Sequence, residues 1–399
     1  MSTGPNHSPD AMRSRLVELR RALHMHPELS GDEQETAGII AARLRALGLR
    51  TETGIGGYGV VGVLDSNRPG PTIAYRADMD ALPMQDALVQ PYASMRSGVS
   101  HACGHDVHVT IALGLAELLS RVKEHLRGRV VFVFQPAEES LDGARAMLDA
   151  GLFQSYPPDM MLALHAFPIP VGTVGVATAA CLAGMEEFRV RLYTPAGNLQ
   201  GLIAQVIENL EALSTDAVPT ETQRFAHIIQ RMREGDPELG RTIFVSSWPH
   251  APGDTSHTHV LSLVSMADFS IRPEIHARIE QALDTCTASF GATYDIDYTF
   301  SNPPLRNDGA LIDQIIPAIE QALGSSAVLR FRAPYPFAHE DFVYYAERVP
   351  AAFLWLGTQN LEKGIPSIPH TPDYDVDEDA LVTGMTAMAA VVRRLMETR

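Results

Sequence analysis

Cysteine is scarce in this chain: Cys103, Cys181 and Cys286 are the only three in 399 residues, widely spaced and odd in number. That usage argues against a disulfide framework and fits a reducing compartment. Also lacking is any run near the roughly 20 apolar residues that a membrane-spanning helix requires. Residues 1–10 are polar and hold Pro5 and Pro9, without the apolar stretch of a signal peptide. A cytoplasmic location is therefore expected. Positive charge is in deficit, with 31 Lys and Arg against 48 Asp and Glu and a net charge of −17. A surface of that sign repels phosphate backbones and anionic lipid, so neither nucleic acid nor membrane is expected as a partner. The same charge also serves ordinary solubility.

What the chain does have is enough apolar residue, 45% of its length, to bury a large core in more than one domain. Residues 10–48 carry helix-spaced leucines and isoleucines around a break at Pro27 to Gly31. Short apolar runs follow at 60–64, 72–75, 130–134, 160–164 and 351–356, with helical stretches such as 109–123 between them. Buried strands alternating with helices predict an α/β layered domain. The middle third differs. Residues 188–193, 242–246 and 259–271 look like strands and 201–213 and 275–290 like helices, a β-α-β-β-α order that suits a smaller α+β insert. The expected division is 1–183 and 301–399 for the larger domain and 184–300 for the insert.

The ionisable residues gather just after the predicted strands, where open α/β sheets place their ligand sites. Cys103 and His105 flank Gly104, which permits a tight turn and lets a thiolate and an imidazole face one ion. A buried thiol beside a polar loop histidine is the plainer alternative. Glu138 and Glu139 are adjacent, so their side chains diverge, and one carboxylate is free to coordinate while the other accepts a proton. A solvated acidic turn that caps a helix would also account for them. His165 ends an apolar run, as many satisfied core histidines do. His370 lies between Pro369 and Pro372 in a loop rigid enough to hold a ligand or to serve as an ordinary surface turn. Asp78 is placed to hydrogen-bond a ligating imidazole or to cap a turn.

Four segments, Arg76-Ala77-Asp78-Met79-Asp80-Ala81-Leu82-Pro83, His101-Ala102-Cys103-Gly104-His105-Asp106, Gln135-Pro136-Ala137-Glu138-Glu139 and Pro369-His370-Thr371-Pro372, resemble in order the motifs of the aminoacylase and carboxypeptidase superfamily of dinuclear metallohydrolases. Within it the chain looks most like the amidohydrolase branch of hippurate, N-acyl-amino-acid and indole-acetyl-amino-acid hydrolases. His24-Met25-His26-Pro27-Glu28-Leu29-Ser30 and Ala338-His339-Glu340-Asp341-Phe342 resemble that branch's early and late signatures. The resemblance implies a layered metallohydrolase catalytic domain with an inserted lid or dimerisation domain, and a homodimer formed through that insert. It implies two divalent metal ions, manganese or zinc, on Cys103, His105, Glu139, His165 and His370, with Cys103 as the bridge. Glu138 takes the general acid/base position and Asp78 a supporting one. The implied reaction is hydrolysis of a small N-acyl amino acid to a carboxylic acid and an amine.

The insert departs from the family pattern. Asn198 falls where the resemblance places a lid histidine that stabilises the oxyanion, and His259-Val260-Leu261-Ser262 replaces the usual Asn-Val-Ile-Pro segment. An uncharged amide donates more weakly, and losing one such donor typically costs about 3 kcal/mol. His257 or His259 is expected to compensate, or the lid is retuned for another substrate. Arg272 resembles the lid arginine that clamps a substrate carboxylate; a surface salt bridge is the alternative. Two further activities stay open at this level: a dipeptidase or carboxypeptidase-like metallopeptidase, and a catalytically silent metal- or ligand-binding homologue. Retention of Glu138 argues against the last.

Overall fold

The structure is a computed structural model that describes residues 9–194, 199–250 and 258–397. Its larger sheet has eight strands: β1 (Arg50–Ile55), β2 (Gly59–Asp65), β3 (Thr72–Asp78), β4 (Arg129–Gln135), β5 (Met160–Pro170), β6 (Val174–Ala177), β11 (Val328–Phe331) and β12 (Ala351–Gln359). Their order is β1-β2-β4-β3-β5-β12-β6-β11. β4, β3, β5 and β12 are parallel neighbours. Both of their faces are covered, which is why they read as unbroken apolar runs rather than as alternation. Three strands escape the sequence reading. β1 is an edge strand with a largely exposed surface, and β6 and β11 have only four residues each.

Helices cover both faces. On one lie α1 (Pro9–Met25), α2 (Gln34–Ala46), α3 (His105–Ser120), α9 (Gly309–Leu323) and α11 (Asp379–Glu397), whose Leu16, Ile40, Leu115, Ile315 and Val391 share one core with the sheet. On the other lie α4 (Gly143–Asp149), α5 (Leu152–Ser155), α7 (Thr222–Glu234) and α10 (Val343–Ala346). Each buried aliphatic side chain contributes on the order of 1.5–3 kcal/mol. α7 lies within the interval expected for the insert, yet its Phe225, Ile228 and Met232 pack into the core of the large sheet.

A second, antiparallel sheet holds β7 (Gly184–Tyr193), β8 (Ile243–His250), β9 (Thr258–Met266) and β10 (Thr293–Asn302), in the order β10-β7-β9-β8. α6 (Leu199–Glu211) and α8 (Arg272–Phe290) join its core, through Val206 and Ile279 against Val190 and Val260. The sequence reading lacks β10, although Tyr294, Ile296, Tyr298 and Phe300 alternate with polar residues as a one-sided strand does. It also runs β9 too far, because the chain turns into a 3-10 helix at Phe269–Ile271. β9 is paired on both sides, with β7 and β8, so it offers no edge to a partner. Among the described residues the outer strands are β8, which carries the partly exposed Trp248, and β10.

One buried ion cluster fastens the helical layer behind the sheet's ligand edge. Arg20 of α1 has no solvent exposure and sits 2.8 Å from Asp106 on α3 and 3.3 Å from Asp375. His24 adds a 2.8 Å contact to the same Asp106 carboxylate. Burial pushes the Asp106 carboxyl up, but Arg20 and His24 outweigh it and hold the group well below the carboxylate range. Its stabilising contribution is therefore present above the ordinary carboxylate pKa and is lost as pH falls through the depressed value. Replacing Arg20 with Met strands two buried carboxylates and should cost about 3–5 kcal/mol. Urea unfolding at neutral pH measures this; a loss under about 1 kcal/mol would show that the cluster does not depend on Arg20.

Candidate metal centre

Gly104 decides the shape of the first loop. Its φ is +87°, and a Cβ there would lie 2.6 Å from the Tyr374 hydroxyl and 2.9 Å from the Ala166 Cβ. Only glycine fits a left-handed turn so enclosed, and the turn places Cys103 in the loop and His105 at the start of α3. The second loop is strained at Ala137, with φ of 54°. The Ala137 N–H donates to Glu33 Oε1 at 2.8 Å, which holds the turn that presents Glu138 and Glu139. His370 also has a positive φ, 59°, and its N–H donates to the Ala102 carbonyl at 2.8 Å. That bond ties the late loop to the cysteine loop.

These constraints bring five side chains together. Cys103 Sγ lies 3.6 Å from His165 Nε2 and 3.4 Å from His370 Nε2. His370 Nε2 is 3.6 Å from Glu139 Oε2, and His105 Nε2 is 3.7 Å from Glu139 Oε1. Cys103, Glu139 and His370 each turn one donor atom into a single space, as do Asp78, His105, His108 and His165 beside them, the atoms of each group all within 4.8 Å. His165 donates from Nδ1 to the Ala166 carbonyl at 2.8 Å, so its Nε2 lone pair faces the cluster. His105 Nδ1 is paired with Asp80 at 3.1 Å, which leaves Nε2 turned inward.

The donor set fits divalent cations. Among the described residues His105 Nε2 and Glu139 Oε1 are buried with no hydrogen-bond partner, an arrangement that costs free energy unless something else satisfies them. Thiolate, imidazole and carboxylate together suit borderline ions such as zinc and manganese. The protein's own groups crowd negative charge here. Burial and the carboxylates of Glu340, Glu139 and Asp341 push Glu138 well above its ordinary range. Burial, with Asp80 and Asp78 adding to it and His105 opposing, pushes Glu139 up to about 7. Burial drives His165 well below the usual imidazole range and His370 down to about 4, so both present neutral nitrogens.

Behind the cluster stands Arg76, fully buried. It donates to Glu340 at 2.7 Å, Asp341 at 3.1 Å and Gln135 at 3.0 Å, and also to Asp78. Asp78 in turn accepts from His108 Nδ1, while His108 Nε2 accepts the Ala166 N–H at 2.8 Å. Sequence reasoning passed over Arg76, Asp80 and His108 as functional residues. His108 has a signal, since it lies one helical turn after His105 and shares its face. Asp80 sits two residues after Asp78, on the same side of an extended segment.

The cluster opens on a cavity of about 640 Å³. Cys103, Glu138, Glu139, His165 and His370 line it, together with Phe167, Phe225, Tyr335, Phe337, Phe353 and Trp355. Of the remaining expected site residues, Asn198 and His257 lie outside the described residues. His259 falls on β9, opposite Arg191 and His250. Arg272 opens α8, where it is 3.1 Å from Glu186 and stacks over Phe269 at 4.0 Å; it does not line this chain's cavity.

The sequence profile of peptidase family M20/M25/M40 matches residues 74–394. The chain belongs to that family. A probable hydrolase from Synechocystis is 34% identical over 94% of each chain. An IAA-amino acid hydrolase of Arabidopsis thaliana is 31% identical over 96% of this chain and 81% of its own. Among solved structures, a dinuclear metal-binding M20 peptidase of Bacillus subtilis superposes with a TM-score of 0.75 at 28% identity, covering 98% of this chain and 100% of that one. The M20 chain described here is thus an enzyme that hydrolyses amide bonds.

Two substitutions test how the centre is supported. His108→Ala removes a group that orients Asp78 and should weaken metal binding about 10–100-fold, read by competition with a chelator. Unchanged affinity would remove His108 from the site. Gly104→Ala forces the +87° turn and two close contacts and should cost about 1–3 kcal/mol of stability together with metal uptake. Full uptake at unchanged Tm would mean the loop has slack that its contacts do not show.

Proposed function

We propose that this M20 enzyme cleaves the amide bond of a small N-acyl amino acid, giving a carboxylic acid and an amine. The observation that carries the reading is the convergence of Cys103, Glu139, His165 and His370, with His105 behind them, beside Glu138 in one cavity lined by aromatic rings. The Arabidopsis relative, named an IAA-amino acid hydrolase, supports this substrate class. In this reading Cys103, His105, Glu139, His165 and His370 would hold two divalent ions, manganese or zinc. Bound ions of this kind supply Lewis acidity toward the amide carbonyl and the attacking water.

The chain's own groups do the rest. Glu138 accepts a proton from the attacking water on a carboxylate oxygen and returns it to the leaving nitrogen. Its desolvated position beside Glu340 keeps its affinity for that proton high. Asp80 and the Ala166 carbonyl keep His105 and His165 in the tautomers whose Nε2 faces the site. Phe167, Trp355 and Tyr335 exclude water from the acyl side and offer flat apolar surfaces to the acyl group. We place the enzyme in the cytoplasm, in keeping with three free cysteines and with no helix among the described residues long and apolar enough to cross a membrane. We also propose a homodimer formed through the smaller sheet, with β8 as the edge available for pairing.

Hydrolysis by chelated protein, with manganese or zinc added back, tests the reading on a panel of N-acyl amino acids, dipeptides and aromatic amides. Metal-restored cleavage of the N-acyl amino acids is expected; cleavage confined to dipeptides would make the enzyme a peptidase instead. Glu138→Gln should lower kcat at least 1,000-fold at unchanged metal content, on the order expected for loss of the proton-transfer group. Cys103→Ala should lose metal and activity together. Near-normal turnover in Glu138→Gln would remove the proton-transfer assignment.

A further inference from the structure

Three imidazoles line the cavity: His165, His370 and His339. The first two turn Nε2 to Cys103 and belong to the metal cluster. His339 does not. It immediately precedes Glu340, and the two side chains diverge. Glu340 points inward to Arg76, whereas His339 points to the smaller domain, where its Nε2 lies 2.7 Å from the hydroxyl of Ser265 on β9. The same short segment is tied to that domain a second time, by Asn302 Nδ2 donating to the Glu340 carbonyl at 3.3 Å.

The Ser265 contact settles which nitrogen carries the proton. Ser265 is buried, and His339 Nε2 is the only hydrogen-bond partner of its hydroxyl among the described residues. A buried hydroxyl hydrogen needs an acceptor, so Ser265 donates to Nε2 and the proton of the neutral ring resides on Nδ1. Burial holds His339 down at about 4, which keeps the ring neutral at working pH. Nδ1 has no protein partner among the described residues, and the half-buried ring borders the cavity. Glu340 and Glu138 each offer a carboxylate oxygen within 4.8 Å of the other, so the segment that carries His339 also borders the proton-transfer group.

We infer that His339 is a catalytic residue, its Nδ1–H donating to the carbonyl oxygen of the scissile amide as that oxygen gains negative charge. Ser265 is the positioning residue that fixes its tautomer. A neutral donor held in place before reaction stabilises the developing charge without reorganisation. Because the bond to Ser265 crosses from one domain to the other, the donor is oriented only when the smaller domain sits over the cavity. The inference rests on the amidohydrolase reading and adds a residue that its metal centre and Glu138 do not supply.

Steady-state kinetics of the metal-loaded full chain test it, on the N-acyl amino acid that the wild type cleaves fastest. His339→Ala should lower kcat about 100–1,000-fold with KM within threefold and metal content unchanged, a loss of the size seen when one such donor is removed. His339→Gln, which keeps an N–H donor, should recover at least part of that loss. Ser265→Ala should lower kcat about 3–10-fold and serves as the reading if His339→Ala does not fold. Wild-type turnover with kcat preserved in His339→Ala, or with an effect confined to KM, overturns this inference alone. Silence of the metal-loaded wild type across the whole panel overturns the functional reading and this inference with it.

Discussion

A guanidinium without access to water governs the architecture of the site. Arg76 comes from β3, and its partners come from β4 and from the segment that leads into α10: Gln135, Glu340 and Asp341, with Asp78 on its own strand. Burying that many charges is tolerable only when they are mutually paired and hydrogen-bonded. The network therefore fixes the spacing of elements far apart in sequence. Burial opposes the charge on Arg76, yet Asp78, Glu340 and Asp341 hold its pKa well above the ordinary value. Glu138, the acid that faces the cavity, gains from Arg76 some relief from its carboxylate neighbours, which is how so much negative charge persists in one place.

A second layer of order comes from the histidines. His105 and His165 each have one nitrogen committed to a fixed acceptor, Asp80 and the Ala166 carbonyl, and His108 has both, Nδ1 to Asp78 and Nε2 to the Ala166 N–H. Each ring is thus oriented before any ion arrives, and less free energy is spent on ordering when one does. Ala166 has a double part, since its N–H and its carbonyl orient two rings from one strand, β5. The loops add strain where they must turn sharply, at Gly104, Ala137 and His370, and such strain persists only where surrounding contacts over-determine the conformation.

Much of this is visible in the amino-acid order. The central strands are legible because burial on both faces writes them as apolar runs, whereas Cys103, His105, Glu139, His165 and His370 stand out as a set only through the resemblance to the family, each alone fitting a core or surface role as well. β6 and β11 are too short to leave a pattern, and β1 is too exposed. α7 is absent from the helices read in the sequence, and its place in the core of the large sheet is not legible either, because which core a helix joins is a tertiary fact. Asp80 and His108 leave only the weak signal of their spacing from Asp78 and His105, and Arg76 leaves none; their roles exist only once β3, α3 and β5 lie side by side. His339 is the extreme case, since its orientation depends on a serine 74 positions away in the other sheet.

The chain holds only two tryptophans, and the fold assigns one to each sheet. Trp248 lies 38% exposed on the edge strand β8, while Trp355 is buried with its ring 4.3 Å from Phe167 and 5.9 Å from His165. Their emission should therefore separate into a red, quenchable component from the smaller sheet and a blue, shielded one from beside His165. The molecule has its own pair of optical reporters, one for events at the smaller sheet's edge and one for events at the buried cysteine and histidine cluster.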